Sequence, residues 1–210
     1  MRQINNSGCR ALVFLIMFCF ASHSFAHQPT QQSNLIIYRD QQFPFTVYYP
    51  KTWIRVDPTN PTTRFKAESS DNGDVVADFN VVVSYNQKLE SMSPSEFVES
   101  SSKNSQSLMQ AMRRVFPDAR LINEGKTYIS NRQAYYRLTE ATYRYLDTEM
   151  PMSILQINAL FEGNTYTLTF RCPPERYEEF LPTFETIAAT FTIRPTEKTI
   201  HQNRNQGRRP

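Results

Sequence analysis

The sequence predicts an α+β fold, a mainly antiparallel sheet covered by helices, and three observations carry that expectation. Apolar and polar residues alternate through several short segments, as at Phe45, Val47 and Tyr49 and again at Tyr166, Leu168 and Phe170. Asn72-Gly73 stands between two such segments, the strongest short hairpin signal. Two longer segments place apolar residues at spacings of three and four, the helical period.

Taken in order, residues 35–38 open with a short apolar run. Phe45, Val47 and Tyr49 then alternate with Thr46 and Tyr48 until Pro50, which ends the strand because it has no N–H to donate. A turn through Lys51 and Thr52 leads to Trp53. Residues 64–68 and 75–85 flank Asp71-Asn72-Gly73-Asp74, and Phe79, Val81, Val83 and Tyr85 share one face of the second strand.

The first helix begins with a capping box: Ser93 caps, Pro94 presets φ at the first helical position, and Glu96 reaches back. Phe97, Ser101, Leu108, Met112 and Val115/Phe116 predict its packed stripe, and Pro117-Asp118 its end. Its middle, SSSKNSQS, is so polar that only one narrow face can pack.

Strands follow at about residues 121–129, 133–145, 152–161 and 165–172, with Glu162-Gly163-Asn164 turning the last pair. The second helix spans about residues 175–190, with Tyr177, Phe180/Leu181, Phe184, Ile187/Ala188 and Phe191 on its inner face. Pro182 is expected to kink it or to mark its start, because the ring clashes with the carbonyl of Glu178.

Residues 1–26 read as an export signal. Arg2 and Arg10 give a positive n-region, residues 11–21 an apolar h-region, and Ser24-Phe25-Ala26 a small-x-small cleavage site before His27. The apolar run is about half the roughly 20 residues a spanning helix needs, which disfavours an uncleaved anchor. A lipid anchor at Cys19 is disfavoured by the bulky Phe18 before it. Residues 27–34 read as a flexible leader, 35–193 as a single domain, and 194–210 as a disordered basic tail too poor in apolar residues to fold alone.

Cleavage removes Cys9, Cys19 and His23, so the mature chain keeps Cys172 and two histidines, His27 and His201, both in the terminal segments. One cysteine makes no internal disulfide; Cys172 is either buried at a strand end or free to pair with another chain, and burial is the expectation. The whole chain carries a formal charge of +3, of which Arg2 and Arg10 supply two and the 194–210 tail four, leaving residues 27–193 at −3. That distribution argues against nucleic acid, whose binders carry their basic stripe on the folded face.

The segment Phe43-Pro44-Phe45-Thr46-Val47-Tyr48-Tyr49-Pro50-Lys51-Thr52-Trp53 resembles the opening strand of PsbP-like and Mog1-like proteins, an aromatic strand ending in Pro with a turn that delivers a Trp to the core. Tyr166-Thr167-Leu168-Thr169-Phe170, the helix with Phe184 and Ile187, and Ala189-Thr190-Phe191 are similar to the closing strand and helix. The resemblance spans about residues 36–193 and leans toward exported bacterial DcrB-type proteins. It implies an α/β/α sandwich and a chiefly non-enzymatic domain that binds a protein partner, and it supplies no catalytic motif, cofactor or metal position.

The candidate chemistry is sparse. Tyr135, Tyr136, Tyr143 and Tyr145 lie with Arg137, Arg144, Glu140, Asp147 and Glu149 in the richest aromatic and charged segment. Tyr135, Arg137, Tyr143, Arg144 and Tyr145 are its binding candidates for a protein, peptide, small ligand or glycan, since Tyr and Arg are favoured at hot spots. The alternative is that these tyrosines pack under helices while the charges pair across strands. Asp71, Asp74 and Asp78 resemble a cation loop but lack the EF-hand spacing and its glutamate at position twelve, and are expected to form a solvated hairpin. Glu140 with Asp147 or Glu149 is the one carboxylate pair to weigh for hydrolysis. Serine chemistry has no histidine base between residues 28 and 200, and no Gly-rich phosphate loop exists. Arg204, Arg208 and Arg209 are candidates for weak contact with an anionic envelope surface. The expectation is a non-catalytic exported domain without metal or cofactor, binding a protein partner, with a ligand carrier second and a carboxylate hydrolase third.

Overall fold

The computed structural model describes residues 34–145 and 148–194. Residues 1–33 and 195–210, and with them the export signal, the leader and Arg204, Arg208 and Arg209, lie outside the described residues, as does Asp147.

The strands are β1 Leu35–Arg39, β2 Phe45–Pro50, β3 Ile54–Arg55, β4 Thr63–Asp71, β5 Asp74–Tyr85, β6 Arg120–Ile129, β7 Arg132–Tyr145, β8 Thr148–Phe161, β9 Asn164–Cys172 and β10 Thr192–Ile193. The helices are α1 Pro94–Lys103, α2 Ser105–Val115 and α3 Tyr177–Thr190. Every strand pair is antiparallel. Seven strands form one sheet in the order β3-β4-β5-β9-β8-β7-β6, and β1-β2-β10 form a second.

Local chemistry sets the large sheet. Three of its hairpins turn through Asn72-Gly73, Ser130-Asn131 and Glu162-Gly163, and both residues of each pair have positive φ. That is the backbone of a two-residue turn whose twist matches its strands. Ser130 also accepts the N–H of Ile193 at 2.8 Å, tying β10 to the β6–β7 turn. Pro151 sits in the stretch of β8 before Ser153 that pairs, among the described residues, with β7 alone, so the missing donor costs no second ladder.

The pleat then divides the large sheet between two cores. Phe79, Val81, Leu168, Phe170, Ile157 and Ala159 face α3 and the small sheet, in one cluster with Phe45, Val47, Phe184, Ile187 and Phe191. Trp53 is 5% exposed and meets Phe180 and Phe184 edge-on at 6.4 Å, so the turn after Pro50 does deliver it to the core. On the opposite face α1 and α2 cover β7 and part of β8, and Met109, Ala119, Ala141 and Ile154 form a smaller cluster. Helices lie on both faces of the sheet, so the fold is an α/β/α sandwich.

The first helical segment departs from expectation. Asn104, with φ −93° and ψ 6°, separates α1 from α2, giving three helices where two were predicted. The inward positions are Val98, Ser105 and Met109, continued by the half-buried Met112 and Phe116, whereas Leu108 and Val115 are exposed. Spacings of seven, four, three and four still make one helical stripe. It was hidden because its second member is a serine. The capping box forms as predicted, with Ser93 Oγ accepting from the Glu96 N–H and Glu96 accepting from the Ser93 N–H. Pro182 stands inside α3 and does not begin it.

Candidate functional site

Strand β7 directs alternate residues to its two faces. Tyr136 points to the α3 side, opposite Gly125 of β6, where an added Cβ would lie 3.1 Å from the Tyr136 ring. Tyr135, Arg137, Thr139, Ala141 and Tyr143 face α1 and α2.

Tyr135 is buried at 3% exposure and hydrogen-bonded to Glu124 and Ser102. Burial first, then the bond to the Glu124 carboxylate, raises its phenol pKa. Burial works against the Glu124 charge, but hydrogen bonds from Ser105, Tyr135 and Arg137 and the charge of Arg137 outweigh it and hold the carboxyl below its ordinary range. Arg137 Nε donates to Glu124 at 3.3 Å. The Arg137 side chain is 8% exposed, and its Nη2 is buried without a hydrogen-bond partner among the described residues.

A second arginine stands nearby on β9. Arg171 donates to Asp78 at 2.9 Å and reaches the Tyr143 hydroxyl at 3.5 Å, with its guanidinium 5.8 Å from the Tyr143 ring centre. Burial raises the Asp78 pKa despite that arginine. Tyr143 in turn packs on Phe116, ring centres 4.6 Å apart.

Between α2 and this face runs a cleft of about 350 Å³, open to solvent. Leu108, Met109, Met112 and Phe116 form its helical wall. Arg137, Tyr143, Ile154, Gln156, Thr169 and Arg171 form its floor. One wall is apolar and adaptable, since methionine is unbranched and soft. The floor is polar, with each arginine already matched by a carboxylate.

Of the sequence candidates, Arg137 and Tyr143 line this cleft, and Tyr135 lies buried beneath the helices. Arg144 is exposed and donates to Glu149 at 2.8 Å across the β7–β8 ladder; Tyr145 pairs with Thr148 at the ladder's end. Arg144 does not join the cleft. Arg171, Thr169, Gln156, Met109 and Met112 were not singled out from the sequence. The strict alternation around Phe170 was the available signal, because it sends Thr169 and Arg171 to the face opposite the main core.

A second hollow of about 380 Å³ is lined in part by Asp118, Arg120, Glu140 and Thr142. Glu140 is ion-paired with Arg120, and hydrogen bonds from Thr142, its side chain foremost and its N–H besides, help hold the Asp118 pKa below the ordinary value. Asp71 and Asp74 pair across their turn while Asp78 turns to Arg171, so the hairpin aspartates do not converge. Among the described residues no three His, Cys, Asp or Glu side chains gather as a metal site, and no helix is long and apolar enough to cross a membrane. Cys172 is fully buried and unpaired.

No curated protein matches this sequence. Among solved structures, cyanobacterial PsbP (CyanoP) from Synechocystis sp. PCC 6803 is similar over 77% of this chain and 93% of its own, at 17% identity and TM-score 0.55. The Saccharomyces cerevisiae Ran-binding protein Mog1p is similar over 76% and 95%, at 9% identity and TM-score 0.51. At these identities the likeness is one of fold alone: it supports the PsbP/Mog1-like fold and not the finer DcrB-type likeness. The PsbP family model matches residues 33–193, from the segment just before β1 to the end of β10, and the chain therefore belongs to the PsbP family.

Proposed function

We propose that this PsbP-family chain is an exported, non-catalytic binding domain that holds a protein partner at the cell envelope or outside the cell. The observation that carries the reading is the cleft under α2, with an apolar wall, a polar floor and a buried arginine donor without a partner. Interfaces are anchored by apolar residues and Arg in desolvated pockets, and this cleft offers both. The acidic and basic groups of the described site are engaged with one another: Glu124 with Arg137, Asp78 with Arg171, Glu140 with Arg120. Mog1p, which shares the fold, is a Ran-binding protein. Export rests on the n-region, apolar run and small-x-small site of residues 1–26.

Affinity capture of the tagged protein from envelope extract, with mass spectrometry and reciprocal capture, tests this reading. The expected result is a stoichiometric protein that saturates. Retention of a small molecule or glycan with no protein above background would replace it with the ligand-carrier reading.

A further inference from the structure

The long edge of the seven-stranded sheet is open. β6 is the terminal strand and has ten residues, whereas the opposite edge strand, β3, has two. An edge strand leaves a row of N–H and C=O groups without a ladder partner. Among the described residues no hydrogen bond reaches the β6 main chain from the side away from β7. The side chains on this edge are apolar at both ends: Tyr128 is 70% exposed and Ile122 44%, with Leu121 exposed beside it. A long edge of that kind is a template for another strand.

The order of residues along β6 says which strand fits. Outward from Gly125 stand Glu124 and Lys126, then Asn123 and Thr127, then Ile122 and Tyr128. Laid antiparallel against itself with Gly125 opposite Gly125, the strand sets Glu124 against Lys126, Asn123 against Thr127 and Ile122 against Tyr128, and each pair occurs twice. Residues directly opposite share a face and interact. Glu124, Lys126 and Tyr128 lie opposite Arg137, Tyr135 and Gln133 of β7, so all three project to the α2 side of the sheet. Only this register opposes Glu124 to Lys126. Centring the pair on either neighbour would set Glu124 against Glu124 or Lys126 against Lys126, and like charges directly opposite are destabilising. Glu124 keeps a quarter of its side chain exposed, and Lys126 is exposed without an ion-pair partner among the described residues. The register shift of β6 falls between Leu121 and Asn123, beyond the five central residues.

We infer that β6 binds a second copy of this chain: two β6 edges pair antiparallel about a two-fold axis at Gly125 and join their seven-stranded sheets into one. A two-fold contact requires a self-complementary patch, since a residue that meets a given partner is met by it in return. Main-chain hydrogen bonds supply the attachment and the flanking side-chain pairs the register. The contact uses none of the residues that line the α2 cleft.

Sedimentation equilibrium of the full exported protein between about 1 µM and 1 mM tests this, and a reversible monomer–dimer equilibrium is expected. Lys126→Glu turns two attractive pairs into two repulsive ones and should weaken the dimer at least about tenfold, with the circular dichroism spectrum unchanged. Lys126→Gln should weaken it by a smaller factor. A lysine that instead guards the edge against pairing would give a tighter dimer in Lys126→Gln, and that result would overturn the inference. The register is read by mixing Asn123→Cys with Thr127→Cys under mild oxidation. Across the axis these two positions lie about 5 Å apart, within disulfide reach. Two copies of position 123, or of 127, are separated by about 14 Å. A covalent dimer that forms only in the mixture is expected, and the buried Cys172 takes no part. Monomer at every concentration, a dimer indifferent to Lys126→Glu, a mixture that yields no crosslink, or equal crosslinking within each single variant would each overturn the inference.

Discussion

Ser105 of α2 donates its hydroxyl to the Glu124 carboxylate of β6 from the face of the helix that turns inward. Ser105 is 5% exposed, on a stripe otherwise made of Val98, Met109, Met112 and Phe116. Glu124 also receives Tyr135 and Arg137, so one carboxylate ties α2 to both β6 and β7.

Ser105→Ala should therefore cost about 1 to 2 kcal/mol, the worth of a hydrogen bond to a charged acceptor that keeps its other partners. Urea denaturation with an unchanged slope reports it. An unshifted midpoint would mean that α2 is seated by its methionines alone.

Much of the fold was legible in the sequence because its signals are local. Alternation placed β2, β5 and β9, Asn72-Gly73 and Glu162-Gly163 placed their turns, and the Ser93–Glu96 box placed the start of α1. The two-residue strands β3 and β10 were not legible, since each exists only through its partner: Ile54–Arg55 against Ala67–Glu68, Thr192–Ile193 against Phe45–Thr46. Nor was the phase of α2, where hydropathy favoured Leu108 and Val115 over a serine whose acceptor lies 19 residues away. The site was half legible. Tyr143 and Arg137 share a face of one strand, but Arg171 joins them through the β8–β9 and β7–β8 ladders, and only the assembled sheet brings those strands together.

Trp53→Ala should cost about 3 to 5 kcal/mol, the range for deleting a large buried aromatic. Its ring packs against Phe180 and Phe184, so α3 would lose its contact with the turn after β2. Wild-type stability in chemical denaturation would contradict this packing.

Acid should unfold the protein in part through Asp40. Burial opposes its charge, but the N–H groups of Phe43 and Gln42, the Tyr38 hydroxyl and Arg64 outweigh that and lower its pKa. A carboxyl depressed by folding contributes stability that is present above its unfolded pKa and lost as pH falls through the folded value. Stability measured against pH should fall less steeply on the acid side in Asp40→Asn than in the wild type. Parallel acid limbs would show that Asp40 gains nothing from its partners.

Cys172 should resist thiol reagents in the native protein. Its side chain is fully buried, and burial pushes its pKa up to about 12, so almost no thiolate exists at neutral pH. Labelling with an aromatic disulfide at about pH 8 should proceed only as fast as global unfolding and become immediate in denaturant. Rapid native labelling would place the thiol at the surface.

The claim that α2 and the sheet frame the partner-binding cleft is tested most directly by photo-crosslinking in the exporting cell. A photoreactive residue at Leu108, on the cleft rim, is compared with one at Val75, exposed on the β4–β5 hairpin and outside the cleft. The account predicts a single protein adduct from position 108 that Arg137→Lys diminishes, and none from position 75. No adduct at 108, or equal adducts at both positions, would contradict it.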